Sequence, residues 1–297
     1  MEKTNTIAGS ESIRFSYEFF PPRKPEQQRR FWRTVGCLET LEPRFFSVTY
    51  GALGSASEAS IDIVKDLIAE SSIPVAAHLT CVGFSRREMQ AHLERLTTLG
   101  VKHIVALRGD CVPGELEHQS NGLRYAEELV KLINDHGGFD VSVAAYPEIH
   151  PEAQSAESDL DNLKRKLDAG ASRALTQFFY DTDSFLRFRD KAAAAGITQP
   201  IIPGVLPIHD IDKVVAFGER CGTVVPDDVI ALFKEQAKDA ISAHQYAVAH
   251  GVHLCEQLMA EGVEDFHFYT LNQSNLAHEV TRVMRGEIEV PVELAAA

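Results

Sequence analysis

The sequence contains no C-x-x-C pair, and its five cysteines (Cys37, Cys81, Cys111, Cys221, Cys255) are scattered and odd in number. This argues against a disulfide framework or a structural zinc site, so inert thiols and no metal centre are expected. No apolar run approaches the roughly 18 residues of a membrane span. The start, Met1-Glu2-Lys3-Thr4-Asn5-Thr6, lacks the apolar core of a signal peptide. A cytoplasmic protein with no membrane partner is therefore expected. Basic charge is also short. Lys and Arg number 29 against 43 Asp and Glu, the net charge is −14, and no basic run occurs, which argues against a nucleic-acid partner. Two glycine signatures are absent as well: no G-x-G-x-x-G follows the first strand candidate, and there is no G-x-x-x-x-G-K-[ST]. A bound anion would have to be met by local cations, and Arg23, Arg108, Arg165, Lys166 and Lys213 are the candidates.

What is present is an ordinary globular composition, with 44% apolar and 24% charged residues over 297 positions. Short β-branched and aromatic runs alternate with longer amphipathic stretches, the pattern of a parallel sheet. Strands are expected at Phe15 to Phe19, Phe45 to Tyr50, Val75 to Leu79, His103 to Leu107, Val141 to Tyr146, Ala174 to Phe179, Ile201 to Val205 and Asp265 to Tyr269. Helices are expected at 26–41, 57–70, 86–99, 123–135, 158–169, 182–195 and 211–220, through a long region 227–261, and at 275–284. Gly100, Gly137, Gly170, Gly196 and Gly262 each fall just before a strand, where a left-handed residue ends a helix. These eight strands, with no linker between them, predict an α/β chain forming a single (β/α)8 TIM barrel, with extra helices near strands 7 and 8. A doubly wound open sheet is the alternative. Residues 1–12 read as a flexible N-terminus, 13–286 as the barrel and 287–297 as a tail.

A barrel should gather its chemistry at the C-terminal strand ends, and polar groups stand there. Glu18 lies inside the aromatic run Tyr17-Glu18-Phe19-Phe20-Pro21-Pro22-Arg23. A carboxylate so placed either finds partners or shifts its pKa upward until it holds a proton at neutral pH. Held protonated it can act as a general acid; paired with Arg23 or another cation it would be a strand-end ion pair. Other strand ends carry Thr49-Tyr50-Gly51, His78-Leu79-Thr80, Arg108-Gly109-Asp110, Tyr146-Pro147-Glu148-Ile149-His150, Gln177 and Tyr269-Thr270-Leu271-Asn272. His244, His250 and His253 read as a solvated helical face rather than metal ligands. On periodicity alone Arg165 and Lys166 read as a charged helix face, and Phe178, Phe179, Phe185 and Phe188 as core.

The segments around Glu18, Ser47-Val48-Thr49-Tyr50-Gly51-Ala52, His78-Leu79-Thr80-Cys81, 103–110, 144–153, Thr176-Gln177-Phe178-Phe179 and 266–272 together resemble the flavin-dependent 5,10-methylenetetrahydrofolate reductase family, in its short bacterial form without a regulatory domain. The likeness runs in unchanged order over about residues 13 to 275. It implies a barrel that carries FAD, is reduced by NADH or NADPH, and converts methylenetetrahydrofolate to 5-methyltetrahydrofolate by a ping-pong route, supplying methyl groups for methionine synthesis. A homo-oligomer is implied too. By this resemblance Glu18 protonates folate N10, opening the five-membered ring to an iminium, and Asp110 lies near the flavin pyrimidine and the pterin, adjusting the flavin potential. Cofactor contacts would come from Thr49, Tyr50, Ala52, His78, Arg108, Gly109, Asp110, Ala126, Tyr146, His150, Ala153, Asp159, Asn162, Arg165 and Lys166, which gives the last two an anionic partner. Substrate contacts would come from Asp110, Gln177, Lys213, Phe217 and Gln273. Lys213 and Gln273 stand where relatives carry glutamine and arginine, so Lys213 is the candidate replacement cation for the folate tail. An amine-oxidising flavin barrel of the proline dehydrogenase type and a non-catalytic folate carrier are the rival functions.

Overall fold

The computed structural model describes residues 13–50, 55–109 and 122–291; Ala52, Asp110 and Cys111 lie outside them. Eight parallel strands close into a barrel in chain order: β1 (Arg14–Phe19), β2 (Phe46–Val48), β3 (Val75–Thr80), β4 (His103–Leu107), β5 (Asp140–Ala145), β6 (Arg173–Phe178), β7 (Ile201–Val205) and β8 (Asp265–Tyr269). Closure is made by β1, which pairs with β2 on one side and with β8 on the other, Glu18 standing opposite both Ser47 and Tyr269. The open-sheet alternative is thereby excluded.

The helices follow the strands as α1 (Pro25–Glu39), α2 (Ser55–Glu70), α3 (Arg86–Thr98), α4 (Ala126–His136), α5 (Ala156–Asp168), α6 (Thr182–Ala194) and α7 (Ile211–Cys221). The long helical region expected at 227–261 is two helices, α8 (Asp227–Gln236) and α9 (Ala240–Ala260). Asp239 causes the break. Its carboxylate accepts from the Ser242 backbone N–H at 2.8 Å, so a new helix starts where a continuous one would have left that cap unused. The last helix, α10 (Asn275–Met284), packs on α9. The five expected stop glycines all have positive φ, and at Gly170 an added Cβ would meet Asn134 Nδ2 at 2.3 Å.

The strand period of two decides which side chains enter the barrel. On β1, Phe15, Tyr17 and Phe19 face outward and are fully buried under helices: Phe19 packs edge-on to Phe31 of α1, and Tyr17 Oη lies 2.7 Å from Thr281 Oγ1 of α10. Burying each such ring contributes about 1.5–3 kcal/mol. Ser16 and Glu18 must then point inward. The barrel interior is filled by Phe45, Ala76, Val105, Leu175 and Ile202, so it is a packed core and not a pore.

Between β6 and β7 the register shifts, Leu175 pairing with Ile202 but Phe178 with Gly204. This irregularity accommodates Pro203, which has no N–H for the ladder. Gly204 allows a close crossing. A Cβ there would lie 2.1 Å from the Thr176 carbonyl oxygen and 2.6 Å from Tyr269 Cε2. Tyr269 of β8 thus passes over β7 to donate from Oη to the Thr176 carbonyl of β6 at 2.6 Å, bracing the mouth.

Candidate active site

Glu18 ends its inward row just below the mouth, with its side chain 18% exposed. Its Oε2 lies 3.3 Å from His78 Nε2 of β3 and 3.5 Å from His267 Nε2 of β8. These are its ion-pair partners among the described residues. Arg23 is not one of them; it is exposed, and its backbone N–H donates to Gln27 Oε1 at 2.9 Å. Neither imidazole directs a well-aligned hydrogen bond at the carboxylate, and both Nε2 atoms are buried without a hydrogen-bond partner. Burial pushes the His78 pKa down against the upward pull of Glu18, so His78 is a neutral imidazole.

His267 is fully buried and is held by Ser16, whose Oγ lies 2.7 Å from His267 Nδ1 and donates to the Phe266 carbonyl at 3.3 Å. Phe45 stacks beside His267 at 5.8 Å. The Ser16 hydroxyl can either accept from Nδ1–H or donate to Nδ1, and the choice decides whether Nε2 accepts from or donates to Glu18. The sequence reading missed Ser16 and His267. The signal was available, since both sit on the inward phase of strands that end in polar groups.

A second group of the expected residues gathers beside β4 and β5. Gly109 adopts φ +88°, and a Cβ there would meet Thr80 Cβ at 2.9 Å, so the backbone turn lies tight against β3. Arg108 is paired with Glu152, and its Nε donates to the Gly109 carbonyl at 3.2 Å. The Tyr146 and His150 rings meet edge to face at 4.6 Å. His150 Nδ1 accepts from the Glu152 N–H at 3.0 Å, leaving Nε2 to carry the ring proton. Burial lowers the His150 pKa.

Asp159 of α5 accepts from the His150 backbone N–H at 3.0 Å. Further along α5, Arg165 pairs with Asn162 and donates from Nε to Glu127 of α4 at 2.6 Å. The Lys166 stem is partly exposed, but its ammonium reaches inward and donates to the Ala144 carbonyl at 2.5 Å. Burial lowers its pKa to about 8. Ala126 begins α4, and Ala153 donates from its N–H to the His150 carbonyl at 2.8 Å.

The third group is spread along the opposite rim. Gln177 projects from β6 beside the register shift, and its Oε1 accepts from the Phe178 N–H at 3.1 Å. Phe217 of α7 stacks on Phe178 at 5.3 Å. Lys213 is 84% exposed and pairs with Asp210 at 2.7 Å. Gln273 closes the turn after β8, donating from its backbone N–H to the Thr270 carbonyl at 2.8 Å. Thr49 and Tyr50 follow β2 at the mouth. The histidines of α9 lie elsewhere: His244 pairs with Glu279 at 2.9 Å, and His250 sits among Phe233, Tyr246 and Tyr180.

An inward carboxylate flanked by imidazoles, with cations along one rim, stands at the C-terminal mouth of a (β/α)8 barrel, the end where enzymes of this fold gather their chemistry. Residues 3–285 match the model of the family described as methylenetetrahydrofolate reductase, and the chain belongs to that family. It is 40% identical over 272 residues to the 5,10-methylenetetrahydrofolate reductases of Salmonella typhimurium and Escherichia coli, covering 92% of this chain and 90% of each relative. A methylenetetrahydrofolate reductase (NADH) from Zea mays is 32% identical, over 93% of this chain and 49% of the plant protein. Among solved structures, an uncharacterised Clostridium thermocellum protein that binds two copies of 5-methyl-5,6,7,8-tetrahydrofolic acid superposes with a TM-score of 0.63. Coverage is 93% of this chain and 96% of that one; at 13% identity the likeness is one of fold.

Proposed function

We propose that this protein reduces 5,10-methylenetetrahydrofolate to 5-methyltetrahydrofolate with NADH or NADPH, with FAD as resident cofactor, in two half-reactions through one mouth. The observation that carries the reading is Glu18, a carboxyl group held inward at a strand end between two buried imidazoles.

The residues of the second group fit FAD. Arg108, Arg165 and Lys166 are cations held by carboxylates or a carbonyl that a diphosphate can replace. The tight Gly109 turn lets backbone approach a flat ring, and His78 Nε2, which faces Glu18 but makes no hydrogen bond, offers a buried polar contact. Tyr50, Ala52, His78, Arg108, Gly109, Asp110, Ala126, Tyr146, His150, Ala153, Asp159, Asn162, Arg165 and Lys166 are the proposed cofactor contacts, with Thr49 toward the nicotinamide. When bound, FAD supplies the hydride-carrying chemistry that no side chain provides.

The chain's own part is proton transfer and positioning. Glu18 gives its proton to folate N10, which opens the five-membered ring and leaves an electrophilic methylene carbon. His267, turned by Ser16, and His78 hold the carboxyl in line. Gln177 and Phe217 orient the pterin or nicotinamide, and Asp110 supplies a fixed negative charge near the reacting rings. The product methyl group feeds methionine synthesis.

Anaerobic rapid mixing tests the reading. NADH or NADPH should bleach the flavin absorbance of the purified protein, and methylenetetrahydrofolate should restore it. A protein that binds no FAD, or one that proline reduces and NAD(P)H does not, defeats the proposal. A bare folate carrier would show no bleaching.

A further inference from the structure

The rim between α1 and the β8 turn holds a cation that the reaction above does not use. Arg30 lies on the exposed side of α1, and its Nε donates to the Asn272 carbonyl at 3.1 Å. Thr34, one helical turn on, donates from Oγ1 to the same carbonyl at 3.1 Å. Asn272 in turn clasps the exit of β1: its Oδ1 accepts from the Phe20 N–H at 3.1 Å, and its Nδ2 donates to the Phe20 carbonyl at 2.8 Å. Arg30 is therefore fastened to the turn after β8, which the Asn272 side chain ties to Phe20, two residues beyond Glu18.

No carboxylate of the described residues is within ion-pair distance of Arg30, although the chain carries 43 acidic residues against 29 basic ones. Lys213, the other cation expected at the folate site, is already committed to Asp210. With Nε engaged, the terminal nitrogens of Arg30 remain free to take a carboxylate as a fork. Two neutral donors belong to the same region, Gln273 following directly on Asn272 and His209 close enough to feel the Arg30 charge. The side-chain amide of Gln273 makes no hydrogen bond among the described residues. His209, in the loop after β7, is kept unprotonated by burial first and then by the charge of Arg30, with its pKa lowered to about 4.

We propose that Arg30 binds the carboxylates of the glutamyl tail of the folate substrate, with Gln273 and His209 as neutral donors beside it. This rests on the folate reading above. A pterin whose N10 meets Glu18 must send its p-aminobenzoylglutamate arm out of the mouth, and the β1–β8 seam leads to Arg30. Lys213 would first have to release Asp210; Arg30 has nothing to release.

The test is equilibrium calorimetry of FAD-loaded enzyme with 5-methyltetrahydrofolate and with the corresponding pteroate lacking glutamate. Arg30→Gln should weaken the glutamylated ligand about tenfold and leave the pteroate unchanged, while Arg30→Lys recovers part of the loss. Thr34→Val removes the other donor to the Asn272 carbonyl without touching charge, and the folate constant should stay within about twofold of the parent. An equal loss for both ligands makes Arg30 structural and overturns the assignment, as does no loss for either. A loss confined to NADH or NADPH binding assigns the cation to dinucleotide phosphates instead and also overturns it. A parent enzyme that binds neither folate nor pteroate defeats the folate reading itself, an outcome distinct from an Arg30→Gln enzyme that matches a working parent.

Discussion

At the floor of the barrel, Asp140 accepts from Arg173 Nη2 at 2.5 Å and from Ser172, with His103 Nδ1 3.3 Å away, and Asp265 lies between Arg14 and Arg44. At the mouth, Glu18 faces two imidazoles and receives no hydrogen bond at its carboxylate among the described residues. Burial would raise the Asp140 pKa, but the hydrogen bonds from Ser172 and Arg173 outweigh it and hold that carboxyl below its ordinary range. The floor thus stabilises its acid as an anion. The mouth leaves its carboxylate without a hydrogen bond among the described residues, and that difference in satisfaction, not in residue type, separates the two acids.

The sharpest way to break the comparison is Glu18→Gln. Folate reduction should fall by about a thousandfold, within the range for loss of a general acid, while NAD(P)H reduces the flavin at an unchanged rate. Equal loss in both half-reactions would show that Glu18 holds the mouth together and does not donate a proton. The matching change at the floor is Asp140→Ala, which strands Arg173. It should cost about 2–3 kcal/mol in denaturant unfolding, the low side for a buried pair because Asp140 keeps 31% of its side chain in water. Catalysis per folded molecule should not change.

A smaller effect is expected at His267, whose Nε2 lies 3.5 Å from the Glu18 carboxylate. His267→Asn should lower the folate half-reaction about tenfold and displace its pH profile, leaving the NAD(P)H half-reaction intact. A uniform loss of folded protein with normal kinetics would reduce His267 to packing. A last effect is spread over the fold and grows only as pH falls. His250, with its pKa lowered to about 4 by burial, His209 likewise at about 4, and His78, also lowered by burial, take up protons only when the chain unfolds. Between about pH 6.5 and about pH 4 the unfolded chain binds more protons, so stability should decline as pH falls through that window, at up to about 1.4 kcal/mol per pH unit for each such group. Unfolding midpoints measured across this range that stay flat would contradict it.

Much of the scaffold was legible in the amino-acid order because it depends on local signals. Strand β4 and helix α10 begin and end where alternation and periodicity put them, and β8 does so too. The region 227–261 was legible as helical, while its division into α8 and α9 is marked by the capping bond of Asp239. The site was legible where a strand end carries an unusual residue, as at Glu18. It was not legible where function depends on a partner far away in sequence.

Ser16 and His267 illustrate that limit, being 251 positions apart and 2.7 Å from one another. Arg30 illustrates it again, an ordinary helix residue until the β8 turn brings the Asn272 carbonyl to it. By itself the sequence determined the strand and helix order, the inward phase of Glu18 and the family motifs, since these follow from period-two and helical spacing along a local stretch of chain. Tertiary structure alone decided which partners Glu18 meets, which of the described cations are already paired, and that Arg30 is set against the β8 turn. Those outcomes depend on barrel closure, which sets β1 against β8 and turns neighbours in space into neighbours in chemistry.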